Sequence, residues 1–297
     1  LLNSDGRLVA MHGAKPTMRG MLDMGVDLRD LSIDTRLAAY LLDPADSRYD
    51  LGELLLRYAS LEMATGGAPV GQLDLDGGEQ ESVGIQAARE ALAVDRLVMP
   101  LREAMASQGL LDLHDDLEIP LVRVLAKMEH RGIGVDPDVL TRIRDELNAD
   151  TDSMRAAVIA EAGHDFNVNS TKQLREVLFE ELGLTPQKKT KTGYSTDAQS
   201  LEKMRHEHPI VENLLNFREV EKLRSTYGEG LLAEVGEGNR IRATFNQTVA
   251  RTGRLSSDAP NLHNIPVRSE RGRVFRTAFV APVAHKLLVA DYDQIEL

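Results

Sequence analysis

A chain of 297 residues, 42% of them hydrophobic, is long enough for two or more domains and can bury a sizeable core. It contains no apolar run near the roughly 18 residues of a membrane span, which argues against an integral membrane protein. Cysteine is absent, so disulfides and thiolate metal sites are excluded, and this composition fits a cytoplasmic protein. The formal net charge of −12 argues against a uniformly basic nucleic-acid-binding surface.

The N-terminal part of the chain has an α/β pattern. Short strands are predicted at Arg7–Met11 and Leu31–Asp34, and helices over Thr35–Leu42 and Leu51–Ala59. The following segment, Ala64–Glu81, is rich in glycine and acidic residues and is predicted to be a flexible loop.

A helical region follows. Apolar residues on one face predict a helix over Pro120–His130 that ends at Gly132. Asp136 and Pro137 have the residue types of an N-cap and a first helical position, and they predict a long helix that ends near Gly163. At 1.5 Å per residue this helix would be about 39 Å long, which indicates an extended arm rather than a compact core helix. Its apolar stripe is formed by Leu140, Ile143, Leu147, Met154 and Val158.

Further helices are predicted on either side of a basic loop. Asn169, Ser170 and Thr171 indicate the start of a helix that reaches about Leu182, and helices resume over Ala198–Val235. Between them lies Gln187–Ser195 (QKKTKTGYS), which is polar and basic. This loop is either a tip that binds phosphates or an ordinary solvated loop.

The pattern changes to strands after Arg240. Alternating apolar and polar residues predict a strand over Ile241–Asn246, and further strands are predicted at Phe275–Ala281 and Lys286–Ala290. The last, a buried apolar strand, ends in Asp291. A carboxylate at the carboxyl end of such a strand is well placed to bind Mg²⁺. The alternative is that Asp291 only caps the strand or a following helix.

Basic residues are concentrated in the same C-terminal region. Arg240–Ala290 contains nine Lys and Arg against two Asp and Glu. Its arginines are interleaved with Ser, Thr, Asn and His, side chains that can contact phosphates and minor-groove acceptors. The alternative is an ordinary basic surface with helix caps. The arginines concerned are Arg251, Arg254, Arg268, Arg271, Arg273 and Arg276.

Four motifs in this region resemble those of family A DNA polymerases in their order and spacing. They are TGRLSS at Thr252–Ser257, PNLHNIP at Pro260–Pro266, GRVFRTAFVA at Gly272–Ala281 and ADYDQIEL at Ala290–Leu297. Upstream, FNVNSTKQL at Phe166–Leu174 and FREVEKLRSTY at Phe217–Tyr227 resemble the thumb of that family. More weakly, Ile33–Thr35 and Tyr49–Leu51 resemble the later half of its 3′–5′ exonuclease domain.

The resemblance implies an α+β, multidomain chain. A partial ribonuclease H-like α/β exonuclease-type domain would span 1–112, a mainly helical DNA-binding thumb 113–237, and the start of an antiparallel palm sheet 238–297. The implied activity is template-directed DNA synthesis in replication and repair. The protein would act as a monomer, away from membranes, on primer–template DNA and deoxynucleoside triphosphates with two Mg²⁺ ions. The fingers and the second palm aspartate of the family would follow Leu297, so we expect this piece to be inactive alone and its last strand to leave a sheet edge unpaired.

The resemblance also assigns roles to individual residues. Asp291 matches the palm aspartate that binds both metal ions, and the main-chain carbonyl of Tyr292 would be a further ligand. Gln294, Ile295 and Glu296 match the nucleotide-binding floor, where Glu296 would exclude a ribose 2′-hydroxyl. DNA contacts near the primer end are assigned to Arg254, Asn261, His263, Asn264, Asn246 and Gln247. Thumb contacts are assigned to Asn167, Ser170, Thr171, Lys172, Lys188, Lys189, Lys191, Arg218, Lys222, Ser225 and Thr226.

Several residues depart from the family pattern. His263 stands where glutamine is usual, and Asp293 where serine is usual. In the exonuclease-like part, Gly13 and Thr17 replace an asparagine and a metal-binding aspartate.

Arg89 and Ala93 likewise replace a tyrosine and a second metal-binding aspartate. Because two metal ions need these carboxylates, we expect this part to be an inactive scaffold. The competing interpretations are a protein that only binds duplex DNA, and a 3′–5′ exonuclease.

Overall fold

The computed structural model describes residues 6–46, 48–63, 83–191, 193–265 and 269–292. These residues divide into two compact units: Leu1–Gly132 with Arg242–His263, and Ile133–Ile241 with Asn264–Leu297. The units divide the chain differently from the predicted domains, whose assignment stays a prediction. The predicted loop Ala64–Glu81 lies outside the described residues.

Helices dominate the described part of the chain. In chain order they are α1 (Ala14–Asp23), α2 (Thr35–Leu42), α3 (Leu51–Ala59), α4 (Val83–Ser107), α5 (Ile119–Arg131), α6 (Pro137–Ala162), α7 (Thr171–Arg175), α8 (Ala198–Lys203), α9 (Pro209–Leu223), α10 (Gly230–Ala233) and α11 (Glu270–Val274). Wider π-helical turns lie at Leu113–Glu118, Glu176–Glu181 and Arg224–Glu229, and 3₁₀ turns at Leu262–Asn264 and Phe275–Ala278. Among the described residues, no helix is long and apolar enough to cross a membrane.

The strands are short. They are β1 (Val9–Met11), β2 (Leu31–Asp34), β3 (Ile133–Gly134), β4 (Lys189–Thr190), β5 (Gly193–Tyr194), β6 (Val235–Gly236), β7 (Arg240–Ile241), β8 (Thr244–Asn246) and β9 (Ser256–Asp258). β1 and β2 pair in parallel, whereas β3–β7–β6, β4–β5 and β8–β9 are antiparallel. The chain therefore mixes helices with small, mostly antiparallel sheets, as predicted.

The first unit buries the β1–β2 sheet beneath helices. Ile33 is fully buried in a core that includes Leu37 of α2, Leu54 of α3 and Leu97 of α4. The predicted strand and helices at 31–34, 35–42 and 51–59 are confirmed, and the predicted helix at 120–130 corresponds to α5.

The Asp34 side chain caps the N-termini of two helices of the first unit, α1 and α2. Its buried carboxylate accepts hydrogen bonds from the main-chain N–H groups of Gly13 (2.8 Å) and Ala14 (2.6 Å) at the start of α1. It also accepts from those of Arg36 (3.0 Å) and Leu37 (3.4 Å) at the start of α2. Because the first N–H groups of a helix have no partner inside the helix, one side chain here serves two helices. Gly13 has φ 65°, a conformation that favours glycine.

The second unit is built around α6 and α9. The Asp136 carboxylate accepts from the N–H groups of Asp138 (3.0 Å) and Val139 (3.1 Å), Pro137 is the first helical residue, and Gly163 ends the helix at φ 78°. The predicted long helix is therefore confirmed, with 26 residues. Its apolar stripe is buried as expected at Leu140, Ile143, Leu147 and Val158, with Met154 partly buried.

The segment of Phe279 and Val280 approaches the chain at Gly134 and Val135, beside the β3–β7–β6 sheet. The N–H of Val280 donates to the carbonyl of Gly134 at 3.0 Å, and Phe279 bridges to Val135. A Cβ atom on Gly134 would lie 2.7 Å from the Val280 carbonyl oxygen, so this position requires glycine.

The strand predicted over Phe275–Ala281 is wrong for most of its length. Residues Phe275–Ala278 form a 3₁₀ turn in which Phe275 and Ala278 are fully buried. A spacing of three brings both residues to one face of such a turn, whereas a strand would place them on opposite faces. The Phe275 ring lies 5.7 Å from that of the buried Tyr227.

The buried strand predicted over Lys286–Ala290 is also wrong. These residues are irregular and exposed, with Leu288 and Val289 91% and 88% accessible. A strand needs a neighbour for its main-chain N–H and C=O groups, and none of the described strands pairs with this run.

The strand predicted over Ile241–Asn246 is divided. Ile241 belongs to β7, whereas Thr244–Asn246 forms β8 and pairs with β9 in a different sheet. The alternation still holds at the break, since Ile241 and Ala243 are buried and Arg242 is exposed.

Candidate nucleic-acid interface and metal carboxylate

Five predicted DNA contacts belong to the β8–β9 region of the first unit. Arg254, Asn261 and His263 are exposed, whereas Asn246 and Gln247 are partly buried. The amide of Gln247 donates to the Glu118 carbonyl (3.2 Å) and carboxylate (2.8 Å). Its amide nitrogen is therefore held inside the unit.

The loop that carries Asn261 and His263 is fixed by one buried hydroxyl. Ser257 in β9 donates to the Pro260 carbonyl (3.1 Å) and accepts from the Leu262 N–H (3.2 Å). The His263 ring lies 5.9 Å from the Phe245 ring of β8. These contacts hold the loop while leaving its polar side chains exposed.

Two of the predicted thumb contacts have local structural roles. The Asn167 side-chain oxygen accepts from the Asn169 N–H (3.0 Å), and Ser170 caps α7 through the Gln173 N–H (3.5 Å). Thr171 and Lys172 in the first turn of α7 are exposed.

The basic loop predicted over Gln187–Ser195 contains a small antiparallel hairpin, β4–β5. Lys188, Lys189 and Lys191 are all exposed on it, and the Lys188 ammonium lies 3.9 Å from the Asp197 carboxylate. Three exposed ammonium groups close together in sequence fit the interpretation of a phosphate-binding tip.

Arg218 differs from the other predicted thumb contacts. Its guanidinium is turned inward and donates to the carbonyl of Thr196 and to the Thr196 hydroxyl (3.3 Å). Burial lowers the pKa of Arg218. By contrast, Lys222, Ser225 and Thr226 are exposed.

Asp197 next to this hairpin gives a pH-dependent contribution to stability. Hydrogen bonds from Ser200 (2.7 Å) and then from Ser195 (2.8 Å) lower the pKa of Asp197 to about 2. Because the pKa is lower in the folded state, the stabilisation is present above the ordinary carboxyl pKa and is lost as the pH falls through about 2. We expect the difference in unfolding free energy between the wild type and Asp197→Asn to shrink between about pH 4 and 2. A difference that stayed constant over this range in urea titrations would contradict the expectation.

The C-terminal candidates lie in the second unit. Asn264 is exposed and its main-chain carbonyl accepts from the hydroxyl of Tyr227. Asp291 and Tyr292 are exposed, Tyr292 by 82%. Gln294, Ile295 and Glu296, together with Asp293, lie outside the described residues.

A carboxylate and a main-chain carbonyl are the oxygen ligands that a hard divalent cation prefers. The described residues, however, bring no three His, Asp or Glu side chains together as a metal site. Asp291 therefore fits one ligand position of such a site and does not complete it.

Thr17 and Ala93, the two residues that replace metal-binding aspartates of an active nuclease in the predicted alignment, lie in the first unit. Thr17 is exposed on α1 and Ala93 is buried in α4. Thr17 lines a cleft of about 730 Å³ whose other lining residues are mostly apolar, among them Met11, Ala91 and Val94. The same cleft is also lined by His12, Glu90 and Asp95, but the described residues bring no three His, Asp or Glu side chains together there as a metal site.

A buried ion pair that the sequence did not predict joins Lys15 of α1 to Glu129 of α5 and contacts β8. The partners are 114 residues apart, and no local pattern marks either of them.

The chain belongs to DNA polymerase family A. The model of that family matches residues 137–297. The resemblance carried by the four motifs is therefore confirmed.

The relatives are longer than this chain. It is 40% identical over 276 residues to DNA polymerase I of Bacillus subtilis, covering 92% of this chain and 31% of that protein. It is 39% identical over 294 residues to DNA polymerase I of Mycobacterium tuberculosis, covering 97% of this chain and 32% of that protein. The chain thus spans about a third of the length of these curated relatives.

A solved structure extends the likeness to the fold. The POL domain of Pol1 from M. smegmatis, in complex with DNA primer–template and dNTP, matches with a TM-score of 0.85 and 38% sequence identity. The match covers 96% of this chain and 47% of the solved chain.

Proposed function

We propose that the full-length protein is a template-directed DNA polymerase that extends a primer 3′-hydroxyl during DNA replication and repair. The observation that carries this proposal is the likeness, over 96% of the chain, to a polymerase domain solved with primer–template and dNTP. The exposed polar and basic residues of the β8–β9 region and of the β4–β5 hairpin support it. They offer sequence-independent contacts to the two kinds of group that a polymerase must hold, phosphates and minor-groove edges.

In this proposal Asp291 binds divalent metal, with Mg²⁺ as the natural ion, and the Tyr292 carbonyl adds an oxygen ligand. When bound, the metal supplies charge neutralisation for the oxygens of the transferring phosphoryl group. Gln294, Ile295 and Glu296 would form the floor beneath the incoming nucleotide. Glu296 would exclude a ribose 2′-hydroxyl and so select deoxynucleotides.

The remaining candidates would hold the DNA. Arg254, Asn261 and His263 would contact the minor groove near the primer end, and His263 can donate one hydrogen bond there despite replacing glutamine. Lys188, Lys189 and Lys191 would contact the phosphate backbone. Arg218 would act mainly by holding the Thr196 loop, because its guanidinium is already occupied by Thr196.

We infer that the exonuclease-like part, 1–112, is a scaffold without nuclease activity. Thr17 and Ala93 provide no carboxylate, and the described residues bring no three His, Asp or Glu side chains together as a metal site. The domain assignment of 113–237 as thumb and 238–297 as the start of the palm is part of the same proposal.

Primer extension tests the proposal. We expect the full-length protein to incorporate deoxynucleotides opposite a template and the 297-residue chain to bind primer–template without extending it, because Asp291 alone cannot hold two metal ions. Binding by the short chain should weaken steeply with salt and be indifferent to sequence. A full-length protein that bound duplex DNA without extending a primer would favour a DNA-binding module instead. Degradation of the primer from its 3′ end would favour an exonuclease.

A further inference from the structure

Phe245 is the middle residue of β8. Its main-chain N–H and carbonyl are hydrogen-bonded to the two side chains of an ion pair. The N–H of Phe245 donates to the Glu129 carboxylate at 2.7 Å, and the Lys15 ammonium donates to the Phe245 carbonyl. Lys15 and Glu129 are also bonded to each other. Glu129 is 2% and Lys15 13% exposed, so water competes little for these bonds.

The donor and the acceptor that meet the Phe245 main chain are arranged as in a neighbouring strand. A neighbouring strand would offer an acceptor to the Phe245 N–H and a donor to its carbonyl. Here Glu129 is the acceptor and Lys15 the donor, so the two side chains satisfy Phe245 as a further strand would. Arg19 reinforces Glu129 from 3.5 Å.

Phe245 in turn touches the predicted DNA-contacting residues. It precedes Asn246 in β8, its ring lies 5.9 Å from that of His263, and it is the register partner of Ser257. Ser257 holds the loop that carries Asn261 and His263.

The chain after β8 is held in the same way. The Gln247 amide bonds to Glu118, and the Tyr40 hydroxyl donates to the Ala250 carbonyl at 2.7 Å. The chain from Phe245 to Ala250 is therefore held by α1, α2, α5 and the turn before α5.

We propose that the Lys15–Glu129 ion pair positions the primer–template contacts of the β8–β9 region through the main chain of Phe245. Both are positioning residues, and the inference rests on the proposed polymerase function. It gives the exonuclease-like part a role that requires no nuclease chemistry: its helix α1, together with α5, supports the residues that would read the primer end.

The test uses the full-length protein with Lys15→Met, which keeps the side-chain length but removes the donor. We expect the Kd for primer–template to rise roughly 3- to 30-fold, and the extension rate at saturating primer–template to stay unchanged. Hydrogen exchange in peptides covering residues 244–258 should become faster.

Lys15→Arg, which keeps a donor, should retain most of the wild-type binding. Glu129→Gln is a milder second variant, since its amide oxygen can still accept from Phe245, and it should lie between the wild type and Lys15→Met.

A charge swap separates positioning from simple ion pairing. Lys15→Glu combined with Glu129→Lys restores opposite charges but presents a donor to the Phe245 N–H and an acceptor to its carbonyl. We expect no recovery of binding in this double variant, and recovery would overturn the proposal. Asp27→Asn is the matched control, because Asp27 is bonded to Arg123 and Lys127 of the same helix α5 and should leave primer–template binding unchanged.

Two further results are decisive. Wild-type binding by Lys15→Met, with or without faster exchange at 244–258, would overturn the inference while leaving the polymerase proposal intact. A wild-type protein that neither binds nor extends primer–template would instead overturn the proposed function, and the exchange data would still report whether the ion pair holds β8.

Discussion

Replacing Asp34 with alanine is expected to lower the unfolding free energy by about 3–5 kcal/mol. The four N–H groups of Gly13, Ala14, Arg36 and Leu37 would lose their acceptor, and Asp34 is only 5% exposed, so water could not replace it readily. Loss of an ordinary N-cap costs about 1 kcal/mol, and each buried N–H left unsatisfied costs about 1–3 kcal/mol. Urea unfolding of the 297-residue chain, followed by circular dichroism, measures the change.

The controls for this prediction come from the same unit. Asp34→Asn keeps one acceptor oxygen and should lose about half as much stability. Asp50 stands at the N-cap of α3 but makes no side-chain hydrogen bond there, so Asp50→Ala should cost about 0.5 kcal/mol or less. If Asp34→Ala cost no more than Asp50→Ala, the proposed double cap would be contradicted.

The second large effect is expected at Asp291. In the full-length protein, Asp291→Asn should slow nucleotide incorporation on the order of 10³-fold, because a neutral amide is a poor ligand for a hard cation whose charge stabilisation is worth several kcal/mol. The Kd for primer–template should stay near the wild-type value, because the proposal assigns DNA binding to other residues.

Rapid-quench measurement of a single incorporation, at saturating primer–template, isolates this step. Asp258→Asn is the matched control, since Asp258 is an exposed aspartate of β9 whose carboxylate accepts from the adjacent Ala259 N–H at 2.9 Å. Asp258→Asn should incorporate at the wild-type rate. Equal rates for Asp291→Asn and wild type would remove Asp291 from the metal site.

Local signals predicted those elements whose causes lie within the element itself. Asp136, Pro137 and Gly163 mark the ends of α6, because a cap, a fixed φ and a left-handed residue act within one turn. Prediction failed where structure depends on partners. Lys286–Ala290 has the residues of a buried strand, but a strand forms only beside another strand. In Phe275–Ala281 the burial of Phe275 and Ala278 on one face outweighed strand propensity.

The same distinction applies to the site. The motifs predicted which residues contact DNA, because residues within one motif are close together in the sequence. They could not indicate that Arg218 turns toward Thr196, that Gln247 bonds to Glu118, or that Lys15 and Glu129 hold Phe245. Each of these contacts joins residues far apart in the chain, so only the folded structure reveals them.

The proposed metal role of Asp291 can be tested by direct observation. The decisive measurement is anomalous scattering from Mn²⁺, used in place of Mg²⁺, in crystals of the full-length protein with primer–template and a non-hydrolysable deoxynucleotide. A Mn²⁺ ion about 2.1 Å from an Asp291 carboxylate oxygen, beside the nucleotide phosphates, is the predicted result. Manganese bound at the phosphates with the Asp291 side chain turned to solvent would contradict it.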